Sequence, residues 1–242
     1  MSSTSETGHV TNVKNFASLT SSAAGLEAAF NPTNAEIMKP ALEKKLIDAR
    51  DANKKVADVM ITNKTAIGER NLAYKLLTRV LKAMIAAKVS EPLIANAKSF
   101  IDKIKGTRAE PKKTEEEKAA LKAKGKSDKE ISASQKSYEN QADNFEKLIK
   151  LLASIPIYKP NETDLKVEAL KALQADLVAK NEKVKATEIP LNNARIARDE
   201  ILYAGEKGLV DLALTVKNYY ISAFGTDSRQ YKQISKLKFT RN

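Results

Sequence analysis

Apolar residues recur along this chain every three or four positions, a spacing that favours α-helices over strands. Residues 13–29 predict a first amphipathic helix, which ends at Asn31-Pro32 because proline cannot continue the hydrogen-bond ladder. A much longer helix is predicted over 41–67. Further helices are predicted over 69–88, 91–105, 136–154 and 196–224. The pattern therefore predicts an all-α protein.

The chain also carries an internal repeat. Asn15-Phe16 matches Asn144-Phe145, and Phe30-Asn-Pro matches Tyr158-Lys-Pro. At an offset of 128 residues, positions 30–70 align with 158–198 without a gap. The identical residues of the first copy are Pro32, Ala41, Leu42, Asp48, Asn53, Lys55, Val56, Ile61, Ala66 and Arg70. The repeat predicts an elongated helical bundle of two duplicated halves related by a pseudo-two-fold axis.

The domain organisation follows from this repeat. Residues 1–12 are Ser/Thr-rich and are predicted to be a disordered head. The two helical repeats span 13–106 and 136–225 and are expected to share one core, because neither has many large hydrophobic residues of its own. Residues 107–135 are rich in Lys and Glu and predict a linker or a protruding hairpin. Residues 226–242 form a basic tail.

The long helices have a seven-residue apolar repeat, which is typical of coiled-coil packing. One heptad position of the first copy is occupied by Leu42, Ala49, Val56 and Asn63, and its counterpart by Leu170, Leu177, Val184 and Leu191. Asn53 and Asn181 fall at a second, inward-facing position of both copies. We interpret them as polar core residues that set the register, lying close together or at symmetry-equivalent positions; a polar pocket at the pseudo-axis is the alternative.

Residues for catalysis are scarce. The chain has no cysteine and a single histidine, His9, so neither the usual catalytic triads nor zinc sites can be assembled. No GxxxxGK[ST] or GxGxxG loop is present. We therefore expect a non-enzymatic protein with no cofactor, no metal and no small-molecule substrate.

Charge gives a second functional hypothesis. The net charge is +12, and the excess is concentrated in 67–108 and in the tail. Such surfaces attract nucleic acid, although lysine-rich helices are also simply soluble. In the tail, Tyr231, Ile234, Leu237 and Phe239 are spaced to pack against the bundle. The candidate nucleic-acid contacts are Arg70, Arg79, Lys82, Lys98, Lys103, Lys105, Arg108, Arg229, Lys232, Lys236, Lys238 and Arg241.

Localisation is predicted from what the chain lacks. Its first residues show no basic start followed by an apolar run, and no stretch of 18 uninterrupted apolar residues occurs. We expect a cytoplasmic protein without a membrane span, with a surface location as the alternative.

Several segments carry a resemblance to known sequences. They are the basic tail, Asn12-Val-Lys-Asn-Phe16, the Phe30-Asn-Pro turn, Asp143–Leu152 and Asn193–Tyr203. Through them the chain resembles a family of basic, all-helical bacterial proteins of about 240 residues, typical of Bacteroidetes, that are labelled hypothetical and sometimes cell-surface. The resemblance covers nearly the whole chain but implies no activity, ligand or site residue.

Three functional hypotheses follow. The leading hypothesis is a structural or protein-interaction protein that self-associates or binds another protein through its long helices. The second is a nucleic-acid-binding protein without sequence specificity, and the third is a cell-surface protein.

Overall fold

The computed structural model describes residues 7–70, 74–107, 115–116, 123 and 137–241, and all regular secondary structure within them is helical. The all-α class is thus confirmed. The helices are α1 (Thr7–Gly25), α2 (Lys39–Glu69), α3 (Tyr74–Ala86), α4 (Glu91–Lys105), α5 (Tyr138–Ala153), α6 (Val167–Tyr203), α7 (Leu209–Phe224) and α8 (Arg229–Ser235). Short 3-10 turns over Ala35–Ile37 and Thr163–Leu165 precede the two long helices.

The chain divides into two compact units. Unit 1 comprises Met1–Thr65 and Ala186–Asn242, and unit 2 comprises Ala66–Lys185. Each unit therefore contains the first part of one sequence repeat and the last part of the other. Unit 1 combines α1 and most of α2 with the end of α6, α7 and α8. Unit 2 combines α5 and the first half of α6 with the end of α2, α3 and α4.

Each unit has its own hydrophobic core, which differs from the single shared core expected from the sequence. In unit 1, Phe16 and Leu19 of α1 pack with Leu42 of α2 and with Leu209 and Tyr220 of α7. In unit 2, the core is formed by α3, α4, α5 and the start of α6 and includes Leu77, Ile101, Phe145, Leu148 and Leu170. Because each core uses residues from both repeats, neither repeat has to bury its hydrophobic residues alone.

The long helices run antiparallel to each other within each unit. In unit 1, Val56 packs with Leu191 and Ala194, while Asn63 donates a hydrogen bond to Thr187. In unit 2, Arg70 reaches Asn181 and Lys183 reaches Glu69. The first predicted heptad position is buried in both helices at Leu42, Ala49, Val56, Asn63, Leu170, Leu177, Val184 and Leu191.

Two terminal regions bear on the sequence predictions. Residues 7–12 were expected to be disordered, but they form the first turns of α1, where His9 and Asn12 are buried. Apolar periodicity did not predict these first turns of α1, because the buried residues His9 and Asn12 are polar. In the tail, Ile234 is buried in the core of unit 1 with Tyr231, Leu237 and Phe239 packed against it, so its predicted packing is confirmed. The linker over 107–135 lies almost entirely outside the described residues.

Candidate functional site

Unit 2 contains a hydrogen-bonded polar cluster around Arg70. The Arg70 guanidinium donates to the side-chain oxygens of Asn181 and Gln141 and lies 3.9 Å from the ring centroid of Tyr138. The Gln141 amide nitrogen donates to the Ile104 carbonyl at 3.0 Å, and that of Asn181 donates to the Tyr138 carbonyl at 2.9 Å. Burial lowers the pKa of Arg70. The cluster joins α4, α5 and α6 to the end of α2.

Unit 1 contains a corresponding cluster around Arg198, which is 3 % exposed. Arg198 donates from Nε and Nη2 to Asp199 Oδ1 at 3.0 and 2.9 Å. His9 Nδ1 lies 2.8 Å from the Tyr203 hydroxyl. Asn12 exchanges two hydrogen bonds with the backbone of Thr240, at 2.7 and 3.1 Å. These bonds join α1 to the end of α6 and to the C-terminal segment.

The two clusters occupy matching positions of the sequence. The Tyr74 hydroxyl accepts from Gln141 at 3.4 Å in unit 2, as the Tyr203 hydroxyl accepts from Asn12 at 3.4 Å in unit 1. His9 and Tyr138, Asn12 and Gln141, and Tyr74 and Tyr203 are each 129 residues apart, and Arg70 and Arg198 are 128 apart. Each position therefore keeps a polar or aromatic side chain in both units. The hydrogen bonds named above join residues within one unit and connect its helices to one another.

The asparagines that the sequence singled out fall in different units. Asn181 is buried in unit 2, where its side chain is paired with Arg70 rather than with Asn53. Asn53 is half-buried on α2 in unit 1. The two positions are symmetry-equivalent in the sequence but not in depth of burial.

A cationic groove lies on the surface of unit 2, between α3 and the turn that precedes α6. This open pocket of about 530 Å³ is lined by Lys75, Thr78, Arg79, Lys82, Ala83, Ala86, Glu162 and Leu165. We call it the lysine groove. Arg79 forms a bidentate ion pair with Asp164. Lys105 Nζ donates to the Thr78 hydroxyl at 3.0 Å, which brings a further cation to the groove.

In unit 1, the helix that matches α3 is α7, and it carries no cation at the positions that match Lys75, Arg79 and Lys82. Buried residues of α3 at 77, 80 and 84 have the same spacing as buried residues of α7 at 213, 216 and 220. Both helices contact the 3-10 turn before a long helix. Where α3 carries Lys75, Arg79 and Lys82, this alignment places Asp211, Thr215 and Asn218 on α7. The cationic character is therefore specific to unit 2.

Large isoleucines are exposed on the long helices of unit 1. Ile61 is 65 % exposed, Ile189 63 % and Ile196 68 %. Ile61 and Ile189 each precede a buried interface residue, Asn63 and Leu191, by two positions. At about 100° per residue, this two-residue offset places each isoleucine on the face of its own helix that is turned away from the other long helix. Ile189 and Ile196 are seven residues apart and share one such outward face of α6, and we call these two residues the isoleucine patch.

The predicted nucleic-acid contacts do not form one site within a unit. Those from Arg70 to Lys105 belong to unit 2, and those from Arg229 to Arg241 belong to unit 1. Arg70 and Arg79 are engaged within unit 2, and Arg241 pairs with Asp211. Lys98, Arg229, Lys232, Lys236 and Lys238 are exposed, Lys103 lies 5.8 Å from the Phe100 ring centroid, and Arg108 lies outside the described residues.

In the described part of the chain, no group of three His, Asp or Glu side chains is arranged to hold a metal ion. None of the helices in that part is both long and apolar enough to cross a membrane. No protein-family model, curated protein or solved structure matches the chain.

Proposed function

We propose that this chain is a non-enzymatic protein-interaction protein that self-associates through the isoleucine patch. The observation that supports this proposal is the exposure of Ile189 and Ile196 on one face of α6 in unit 1. Scattered exposed apolar residues are normal on protein surfaces, but large ones repeated on the same face of a helix are typical of association sites. Burying each isoleucine against a second copy is favourable by about 1.5–3 kcal/mol at most.

The net charge of +12 opposes association between copies. This electrostatic repulsion is long-range and is screened by salt, whereas the attraction between apolar side chains is not. Association through the isoleucine patch should therefore strengthen as salt is added. Association through charge would weaken under the same conditions.

Light scattering coupled to size-exclusion chromatography tests the proposal. The double variant I189S/I196S should raise the dissociation constant about tenfold or more. The matched control is I85S/I157S, which changes two exposed isoleucines of unit 2. A wild-type protein that stays monomeric at high salt and high concentration would contradict the proposal, as would equal weakening in the control.

Nucleic-acid binding receives less support. Three of its candidate arginines, Arg70, Arg79 and Arg241, already have partners within their own units. The two basic regions also belong to different units. Phosphate contacts from the remaining lysines would give salt-sensitive binding with little preference for sequence.

A further inference from the structure

We infer that the lysine groove of unit 2 binds an acidic amphipathic helix of another polypeptide. This surface is separate in the sequence from the isoleucine patch, and the inference goes beyond self-association. It begins with the charges of α3, which carries Lys75, Arg79 and Lys82 and no acidic residue. Like charges three or four residues apart on a helix repel each other, so this row of three cations destabilises α3 unless an anion lies near it.

Only part of this charge is neutralised within the unit. Asp164 pairs with Arg79, but no ion-pair partner for Lys75 or Lys82 exists among the described residues. Lys105, which is bonded to Thr78, adds a further cation. Against these charges the groove lining contributes one carboxylate, Glu162. An anionic partner would therefore be attracted to the lysine groove.

The spacing of the free lysines selects the shape of that partner. Lys75 and Lys82 are seven residues apart on α3, which corresponds to about 10 Å along the helix axis. A single phosphate or carboxylate cannot contact both ends of such a row. Two carboxylates seven residues apart on a partner helix have the matching separation, and lysine contacts carboxylates as point charges.

Apolar residues line the groove alongside these cations. Ala83, Ala86 and Leu165 contribute to its wall, and the small alanines let a partner backbone approach closely. An apolar side chain between two acidic ones would therefore be accommodated. Single-stranded nucleic acid would instead use aromatic side chains for stacking, and the groove lining contains none. A second copy of this chain is disfavoured as the occupant by its own net charge of +12.

The experiment measures binding of the full chain to a synthetic amphipathic peptide with glutamates seven residues apart and leucines between them. The comparators are the same peptide with glutamine for glutamate, and a short DNA duplex. Isothermal titration should show binding of the glutamate peptide, weakened by added salt. The double variant K75Q/K82Q should weaken it about tenfold, whereas E162Q, which removes the opposing charge, should strengthen it.

A matched control separates the groove from net charge. K232Q/K236Q removes two exposed lysines of unit 1 and lowers the net charge by the same amount, so it should leave the affinity unchanged. Equal weakening in both double variants, equal binding of the glutamine peptide, or a preference for DNA would each overturn the inference. Light scattering on K75Q/K82Q should show unchanged self-association, so failure here is distinguishable from failure of the isoleucine patch.

Discussion

The two units share a plan of helices but differ in what their surfaces and interiors carry. Each unit contains a short helix, which is α1 or α5, and then a 3-10 turn and a segment of the long helix that follows this turn. It is completed by the pair of helices that follows the other long helix, α7 with α8 in unit 1 and α3 with α4 in unit 2. Phe16 and Phe145 are both fully buried, and each unit has an arginine-centred polar cluster. Outside these positions the units diverge, with a cationic groove in unit 2 and the isoleucine patch on the long helix α6 in unit 1. The comparison teaches that packing positions are kept while surface positions are free to acquire different partners.

The largest expected effect comes from the matched phenylalanines of the two cores. Phe16→Ala and Phe145→Ala should each lower the free energy of unfolding by about 3–5 kcal/mol, because both side chains are completely buried. Hydrogen–deuterium exchange should show the greatest loss of protection in the unit that carries the substitution. Equal loss in both units for either variant would show that the two cores unfold as one.

The two arginine clusters should differ in their contribution to stability. Arg198→Ala removes a side chain that is 97 % buried and should cost about 3 kcal/mol through lost packing. Arg70→Ala removes hydrogen bonds to two neutral side chains at a half-buried position and should cost about 1–2 kcal/mol. Urea unfolding followed by circular dichroism gives both values. The exposed Arg50→Ala serves as control. A larger loss of stability for Arg70→Ala than for Arg198→Ala would contradict this expectation.

A smaller effect is expected from a position where the units differ by one hydroxyl. Tyr158 of unit 2 donates to the Leu165 carbonyl at 2.9 Å, and Phe30 occupies the matching position of unit 1. Tyr158→Phe leaves that buried carbonyl without this donor and should cost about 1–2 kcal/mol at neutral pH. Equilibrium urea unfolding measures the loss, and no change would show that the hydroxyl contributes nothing.

The same tyrosine predicts a loss of stability at alkaline pH. Burial raises the pKa of Tyr158 from 10.0 to about 12. The folded state therefore keeps a proton that the unfolded chain releases, so this contribution is complete below pH 10 and is lost between pH 10 and about 12. Unfolding curves across that range should show a shallower decline for Tyr158→Phe than for the wild type. If the stability of both proteins declined in parallel with pH, Tyr158 would not be the group that titrates.

How far the sequence predicted this protein depends on the kind of residue. The heptad leucines and valines of both long helices are buried as expected, because apolar periodicity directly reflects which helix face avoids water. The polar clusters were only partly foreseen. Arg70, Arg198 and Asn181 were visible as repeated residues. His9 and Asn12 fell in the head that was predicted to be disordered, and Gln141 was not singled out. Their matching 129-residue spacing was the signal that could have identified them.

The sequence by itself determined the helical class, the long heptad helices and the packing of the tail, because these depend on local propensity and apolar spacing. Only the tertiary structure decided that each unit combines parts of both repeats, because helix pairing depends on contacts between residues more than a hundred positions apart. It also decided which cations remain available. Arg79 and Lys75 look alike in the sequence, but folding brings Asp164 against Arg79 and leaves Lys75 facing the groove without an acidic partner among the described residues. Charge can be counted from the sequence, whereas its neutralisation depends on which side chains meet.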